Sequence, residues 1–386
     1  MDWTGTLVAR LIPLLAIALG VYFWLKARKK TTEFVEGASG AAPSAPRARR
    51  NRKSGPARAA AELGLVPADE LDTAHAAAPD PRDEEIRATV RSGNWQAGAD
   101  FLAEAGRDWQ ERYRRAGVLQ DEAAADDTWL LAWRTARPED AGAAFVHAGA
   151  LISVAADIRG AKQAKYTTQE QFAGFHRMMA QAREACREAQ ELAGDDPGPY
   201  IAEISCALGL GYGHDDFRAL WAEVEKRDAH HLAAHTSALQ YWCRKWRGSH
   251  ELAERFAREA AQKGSPGRLL SLLPLYAAFE QESAEQALDP DVFYKSPELI
   301  AAVDACLIDV AAAAAADPED RRIVRVRHLL AWLLYWQDRY DAALEQYRAI
   351  DGYIDSAPWT YSGDPKARYV QSRDFCAAQV LAAGGN

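Results

Sequence analysis

Between Asp196 and Lys263 the apolar residues recur at helical spacing in four successive stripes. Ile201, Ile204, Leu208 and Gly211 form the first, and Gly213-His214 interrupts it before Phe217, Leu220, Trp221 and Val224 form the second. Leu232, His235, Leu239, Trp242 and Trp246 make the third, Gly248 breaks the run, and Leu252, Phe256 and Ala260 make the fourth. Residues three and four apart share one face of an α-helix, so the pattern predicts two helical hairpins in sequence. Asp196-Pro197, Asp228-Ala229 and Ser265-Pro266 punctuate these units at intervals of roughly 35 residues. A hairpin of that size cannot bury its own apolar face and must stack on neighbours.

The same grammar extends over the rest of the chain from Arg82 onward. It predicts helices over 82–91 and 95–105, broken at Gly93-Asn94, then a longer one over 108–124. Asp126-Asp127-Thr128 is placed to cap a short helix carrying Trp129 and Trp133 on one face. Pro138, followed by Glu139 and Asp140, reads as the first turn of the next helix. Thr167 or Thr168 opens a helix through Phe172, Phe175, Met178 and Met179. Later helices are expected over 268–285, 297–316, 321–337 and 340–350, with a loop over 288–296.

The first 81 residues follow other rules. Leu7 to Leu25 would be about 28 Å long as a helix, close to the hydrocarbon thickness of a bilayer. Nine Leu, Ile, Val and Phe residues follow Arg10 in that run, which favours insertion by about 3 to 5 kcal/mol. Ala16-Ile17-Ala18 has the small-x-small form of a cleavage site but lies inside the apolar run, so a retained anchor is the expectation. Lys26, Arg28, Lys29 and Lys30 follow at once and predict a cytoplasmic C-terminal bulk, with the amino end outside the plasma (inner) membrane. These four are also placed for contact with anionic lipid.

From residue 26 to 81 the chain is rich in Ala, Pro, Gly and Ser and carries Arg47, Arg49, Arg50, Arg52, Lys53 and Arg58. That composition predicts a disordered basic tether. The expected domains are thus a tail over 1–6, a transmembrane helix over 7–25, a linker over 26–81 and a helical domain over 82–386.

Charge sharpens the division. Residues 59–386 hold 35 basic against 52 acidic residues, a formal charge of −17. Such a domain repels nucleic acid and favours protein partners with basic segments. In the tether no aromatic residue alternates with the basic cluster to stack bases, so no nucleic acid is expected there either. The five cysteines are far apart and form no CxxC, which fits free thiols in a reducing compartment.

Arg327 to Ile350 resembles one tetratricopeptide repeat: Leu330 and Ala331 in its first helix, Asp338-Arg339-Tyr340 at the turn, then Ala343 and Tyr347 in its second. Arg327 and Leu334 depart from the aromatic pattern of that family. More widely, Trp129 to about Pro365 resembles a bacterial family of tetratricopeptide-like proteins. The resemblance rests on Trp129-Leu130-Leu131-Ala132-Trp133, Arg227-Asp228 through Ala234-His235, Lys245-Trp246-Arg247-Gly248-Ser249 and Pro358-Trp359-Thr360-Tyr361. It implies an all-α fold, a right-handed α-α superhelix of hairpins, and brings no assigned reaction or cofactor.

Candidate chemistry is sparse. His231 and His235 lie one helical turn apart with His214, His230 and His250 nearby, the sharpest hint of a metal-dependent enzyme. The residues between the pair are Leu232, Ala233 and Ala234, lacking the acid of the two-histidine zinc motif, and His235 sits on an apolar stripe. Gly209-Leu210-Gly211-Tyr212-Gly213 follows a helix rather than a strand and so reads as an inter-helix turn. Tyr241, Arg244, Lys245, Trp246, Arg247 and His250, with Trp242, form a basic and aromatic cluster in an acidic domain, a candidate partner-binding surface. Pro358 to Pro365 is an aromatic loop, expected to cover the last hairpin, with ligand binding as the other reading. The function this implies is a membrane-anchored, non-enzymatic scaffold.

Overall fold

The computed structural model describes residues 55–160, 167–285 and 287–384. Among these, all regular structure is helical, and extended pairing is limited to one isolated bridge between Asp72 and Tyr353. The apolar run Leu7–Leu25 and the basic cluster from Lys26 to Lys53 lie outside the described residues.

In chain order the helices are α1 (Pro56–Glu62), α2 (Pro81–Arg91), α3 (Trp95–Ala103), α4 (Trp109–Ala125), α5 (Thr128–Ala136) and α6 (Ala141–Arg159). There follow α7 (Gln169–Leu192), α8 (Gly198–Leu210), α9 (His214–Arg227), α10 (Leu232–Trp242), α11 (His250–Lys263) and α12 (Leu272–Ala284). The C-terminal group comprises α13 (Pro290–Phe293), α14 (Pro297–Ala316), α15 (Arg321–Trp336), α16 (Tyr340–Ile350) and α17 (Pro365–Gly384).

Local signals place most of the starts. Asp80, Asn94, Asp108, Asp140, Ser249, Asp289 and Asp320 each accept a hydrogen bond from a backbone N–H in the first turn of their helix. Thr168 and Gln171 close a reciprocal capping box on α7. These carboxylate, amide and hydroxyl oxygens satisfy donors that a helix leaves unpaired. Pro138 is not in the first turn of α6 as its position suggests: the helix starts three residues later, because the Asp140 side chain caps it. Residues 243–249 also leave the helix that the Trp242 to Trp246 spacing predicts. There Gly248 passes over the end of α10 so closely that a Cβ on it would lie 1.8 Å from the Trp242 carbonyl oxygen.

Burial divides into three clusters. The first, from Val90 to Cys206, centres on α6 and α7 with Trp129 and Trp133 of α5. The second joins α8 to α11 with part of α12. The third joins α12 to α17. By length and composition α6 and α14 are each apolar enough to cross a membrane; α6 is largely buried among its neighbours, whereas only 28% of the tested stretch of α14 is buried.

The expected disordered linker is corrected at its C-terminal end. Ala59, Ala60, Leu65 and Leu71 are buried in the third cluster, and α1 packs against α17. The folded body therefore includes residues from about Gly55, not only those from Arg82. Composition hides this because the segment buries few apolar side chains and is held largely through its main chain.

Candidate functional site

Two stretches singled out in the sequence, 243–249 and 358–361, meet over one side chain of α12. Glu280 is 5% exposed. Its Oε1 accepts from Gln240 Nε2 at 2.8 Å and from Lys245 Nζ at 2.8 Å. Its Oε2 lies 2.7 Å from Lys245 Nζ. The Tyr361 hydroxyl also donates to Glu280, and Lys245 Nζ sits 3.1 Å from that hydroxyl and 5.2 Å from the ring centroid. Phe279, beside Glu280 in sequence, meets the Tyr361 ring edge-on at 4.8 Å.

The electrostatics follow from this enclosure. Burial pushes the Tyr361 phenol well above its usual range, and the Glu280 carboxylate adds to it. Burial does the same to the Tyr276 phenol and the Cys243 thiol, with Glu280 again contributing. Both phenols and the thiol are therefore held neutral at ordinary pH. A carboxylate that accepts from an amide, an ammonium and a phenol has its lone pairs engaged and is a poor general base. The arrangement is a latch joining α10, α12 and the 357–363 loop.

The six candidate binding residues are divided by the fold. Tyr241 and Trp246 are buried. Tyr241 stacks on Phe217 at 3.6 Å and donates to the Tyr212 carbonyl. Arg247 is exposed but donates to the Gly211 and Tyr212 carbonyls. His250 pairs with Glu285 at 2.8 Å. Lys245 belongs to the Glu280 latch, and Arg244 faces solvent. The glycine run is an inter-helix turn: Gly209 lies within α8, Gly211 takes a left-handed φ of 71°, and the carbonyls of Gly211 and Tyr212 point at Arg247.

The histidines do not converge. His231 is the N-cap of α10: its Nδ1 accepts from Ala234 N–H, so Nε2 carries the proton donated to the Trp109 carbonyl at 3.2 Å. His235 Nδ1 donates to the His231 carbonyl, and its ring lies edge-on to Trp221 at 4.9 Å. Burial lowers the pKa of both, that of His235 to about 4. His214 and His230 turn to the carbonyls of Arg247 and Lys263. Among the described residues, no group of three or more His, Cys, Asp and Glu side chains is placed to hold a metal.

No family model matches this chain, and neither a curated protein nor a solved structure matches it.

What the sequence patterns did not point to is the outer face of the C-terminal helices. Val292 is 72% exposed, Ile308 66%, Phe375 38% and Ile300 37%. A shallow depression of about 280 Å³, lined by Asp338, Arg339, Tyr340, Gln379, Val380 and Ala383 among others, adjoins Phe375 through the Tyr340 ring. Phe375 packs edge-on against Tyr335 and Tyr340. Two ion pairs tie this rim to α13 and α14: Lys295 to Asp338 at 2.6 Å and Arg339 to Asp304 at 2.7 Å. A helix apolar along its buried and its outer sides alike leaves no amphipathic stripe to read, so α14 signals only helix in the sequence.

Proposed function

We propose that this chain is a membrane-anchored, non-enzymatic scaffold whose helical body receives a protein segment carrying apolar anchors flanked by basic side chains. The observation that carries this reading is the exposed apolar group Val292, Ile300, Ile308 and Phe375. Soluble surfaces rarely leave several large apolar side chains open on adjoining helices unless something docks there. Asp291, Asp304 and Asp338 of the same helices and turns are paired with Lys295 and Arg339, and Glu298 and Asp341 add further acid; this excess of acid over base favours a basic partner. The saturated Glu280 latch and the backbone-bound histidines support binding over catalysis.

The helices are further read as tetratricopeptide-like hairpins in a right-handed superhelix, held at the cytoplasmic face of the membrane by Leu7–Leu25. Lys26, Arg28, Lys29 and Lys30 are read as contacts to anionic lipid.

Crosslinking pull-down of the intact chain from membranes tests the proposal, with Ile308→Asp and Arg244→Glu as paired variants. A partner captured by the wild type and by Arg244→Glu, but lost from Ile308→Asp at unchanged thermal stability, supports it. Equal capture by all three removes the α14 face from the reading.

A further inference from the structure

The segment between α1 and α2 is bound as a peptide ligand would be. Five of its carbonyls are engaged from the C-terminal helices and their loops. Arg373 Nη1 donates to Val66 O at 2.7 Å, and Arg321 Nη2 to Ala78 O at 2.7 Å. His328 Nε2 donates to Ala76 O at 3.2 Å. The backbone N–H groups of Ile354 and Asp355 donate to Asp72 O and His75 O, and Asp72 N–H returns a bond to Gly352 O. Gly352 has a φ of 82°, and a Cβ there would lie 3.0 Å from the Val66 side chain, so the floor is cut for close main-chain approach.

Two of these donors are themselves costly to place. Arg373 is 3% exposed and His328 fully buried, and both spend a hydrogen bond on the segment's main chain rather than on any of its side chains. Between Gly64 and Asp80 only Leu65 and Leu71 are buried; the remaining residues are exposed or partly so. Main-chain bonds supply affinity without demanding a sequence, and pockets for one or two side chains supply what selectivity there is.

We propose that the C-terminal helices carry a groove that reads a chain segment through its backbone carbonyls, and that residues 65–78, with a single 3-10 turn at Ala68–Glu70, fill it in cis. The partner it fits is a segment with two leucine-like anchors six positions apart, a small apolar side chain after the first and one 3-10 turn between them. The covalently joined occupant benefits from a high effective concentration, so a partner enters only as the cis segment lifts.

Two measurements on the full chain decide this. In wild-type protein the amides of Asp72, Ile354 and Asp355 exchange with deuterium about 100-fold faster or more than those of Leu330 and Leu333 in α15. Equal protection makes the segment an integral part of the core and overturns the proposal.

The second uses a fluorescent peptide of residues 64–79, added to wild type and to a Leu71→Asp variant that weakens the cis occupant. Binding to the variant at least about tenfold tighter than to wild type supports the groove. A variant of native helicity that ignores the peptide overturns it, and so does equal binding of a peptide with both leucines replaced by aspartate. Should the variant fail to fold, the exchange measurement alone decides.

Discussion

Trp359 Nε1 donates to His328 Nδ1 at 2.9 Å, which assigns the imidazole's proton. With Nδ1 accepting, Nε2 must carry the hydrogen that reaches the Ala76 carbonyl. One buried neutral histidine thus joins the aromatic loop, α15 and the segment that precedes α2. Trp359→Phe removes the donor and leaves a buried nitrogen unsatisfied, a loss of about 1 to 3 kcal/mol. Urea denaturation of variant and wild type checks this; a change below about 0.5 kcal/mol makes the bond unimportant.

Acid stability follows from the same environment. Burial lowers the pKa of His328 and of His235 to about 4, below the ordinary value of about 6.5. The unfolded chain therefore takes up protons that these folded sites refuse, and stability falls as pH drops from about 6.5 to about 4, levelling off below. Each site accounts for up to about 3 kcal/mol over that window. Melting temperatures between pH 7 and 4 measure the slope, and His235→Gln reduces it.

The Glu280 latch makes an asymmetric prediction. Glu280→Ala leaves Lys245 in a largely enclosed site without its counter-charge and strips an acceptor from Gln240 and Tyr361. The expected cost is about 3 kcal/mol, whereas replacing the ion pair together, as Lys245→Met with Glu280→Leu, costs far less. Chemical denaturation of the single and double variants separates the two; equal losses would remove the ion pair as the cause.

Trp246 and Arg244 stand two residues apart and respond differently. Trp246 is 7% exposed, so Trp246→Ala empties core volume and destabilises by about 3 to 5 kcal/mol. Arg244→Glu on the surface stays within about 0.5 kcal/mol. Any partner lost with Trp246→Ala then has to be judged against the fall in melting temperature.

Metal removal is expected to be silent. His231 spends both ring nitrogens, on the Ala234 N–H and the Trp109 carbonyl, and His235 spends Nδ1 on the His231 carbonyl, so the two do not converge on one ion. Dialysis against a chelator leaves the melting temperature unchanged; a fall reversed by zinc would return these residues to the metal reading.

How far the sequence could be read depended on the distance over which each feature is decided. The helix Tyr340–Ile350 has the expected ends, and Thr168 has its capping box, because periodicity and caps act within one or two turns. The 243–249 turn is not legible in the sequence, because Trp246 is at the right spacing for α10 while Gly248 must bend back over the helix end. Leu65 and Leu71 give no sign of their burial, since two leucines in an alanine- and proline-rich stretch carry no period.

By itself the sequence determined that this is a helical protein, where most helices begin and end, and that an apolar run precedes a basic one near the amino end. Only the tertiary structure decided which isolated side chains meet. Lys245 and Tyr361 reach Glu280 across 35 and 81 residues, and Arg373 reaches Val66 across 307. Local propensity is indifferent to such separations; they are closed by the burial of the helices that carry each partner, which brings polar groups out of water and obliges them to find one another.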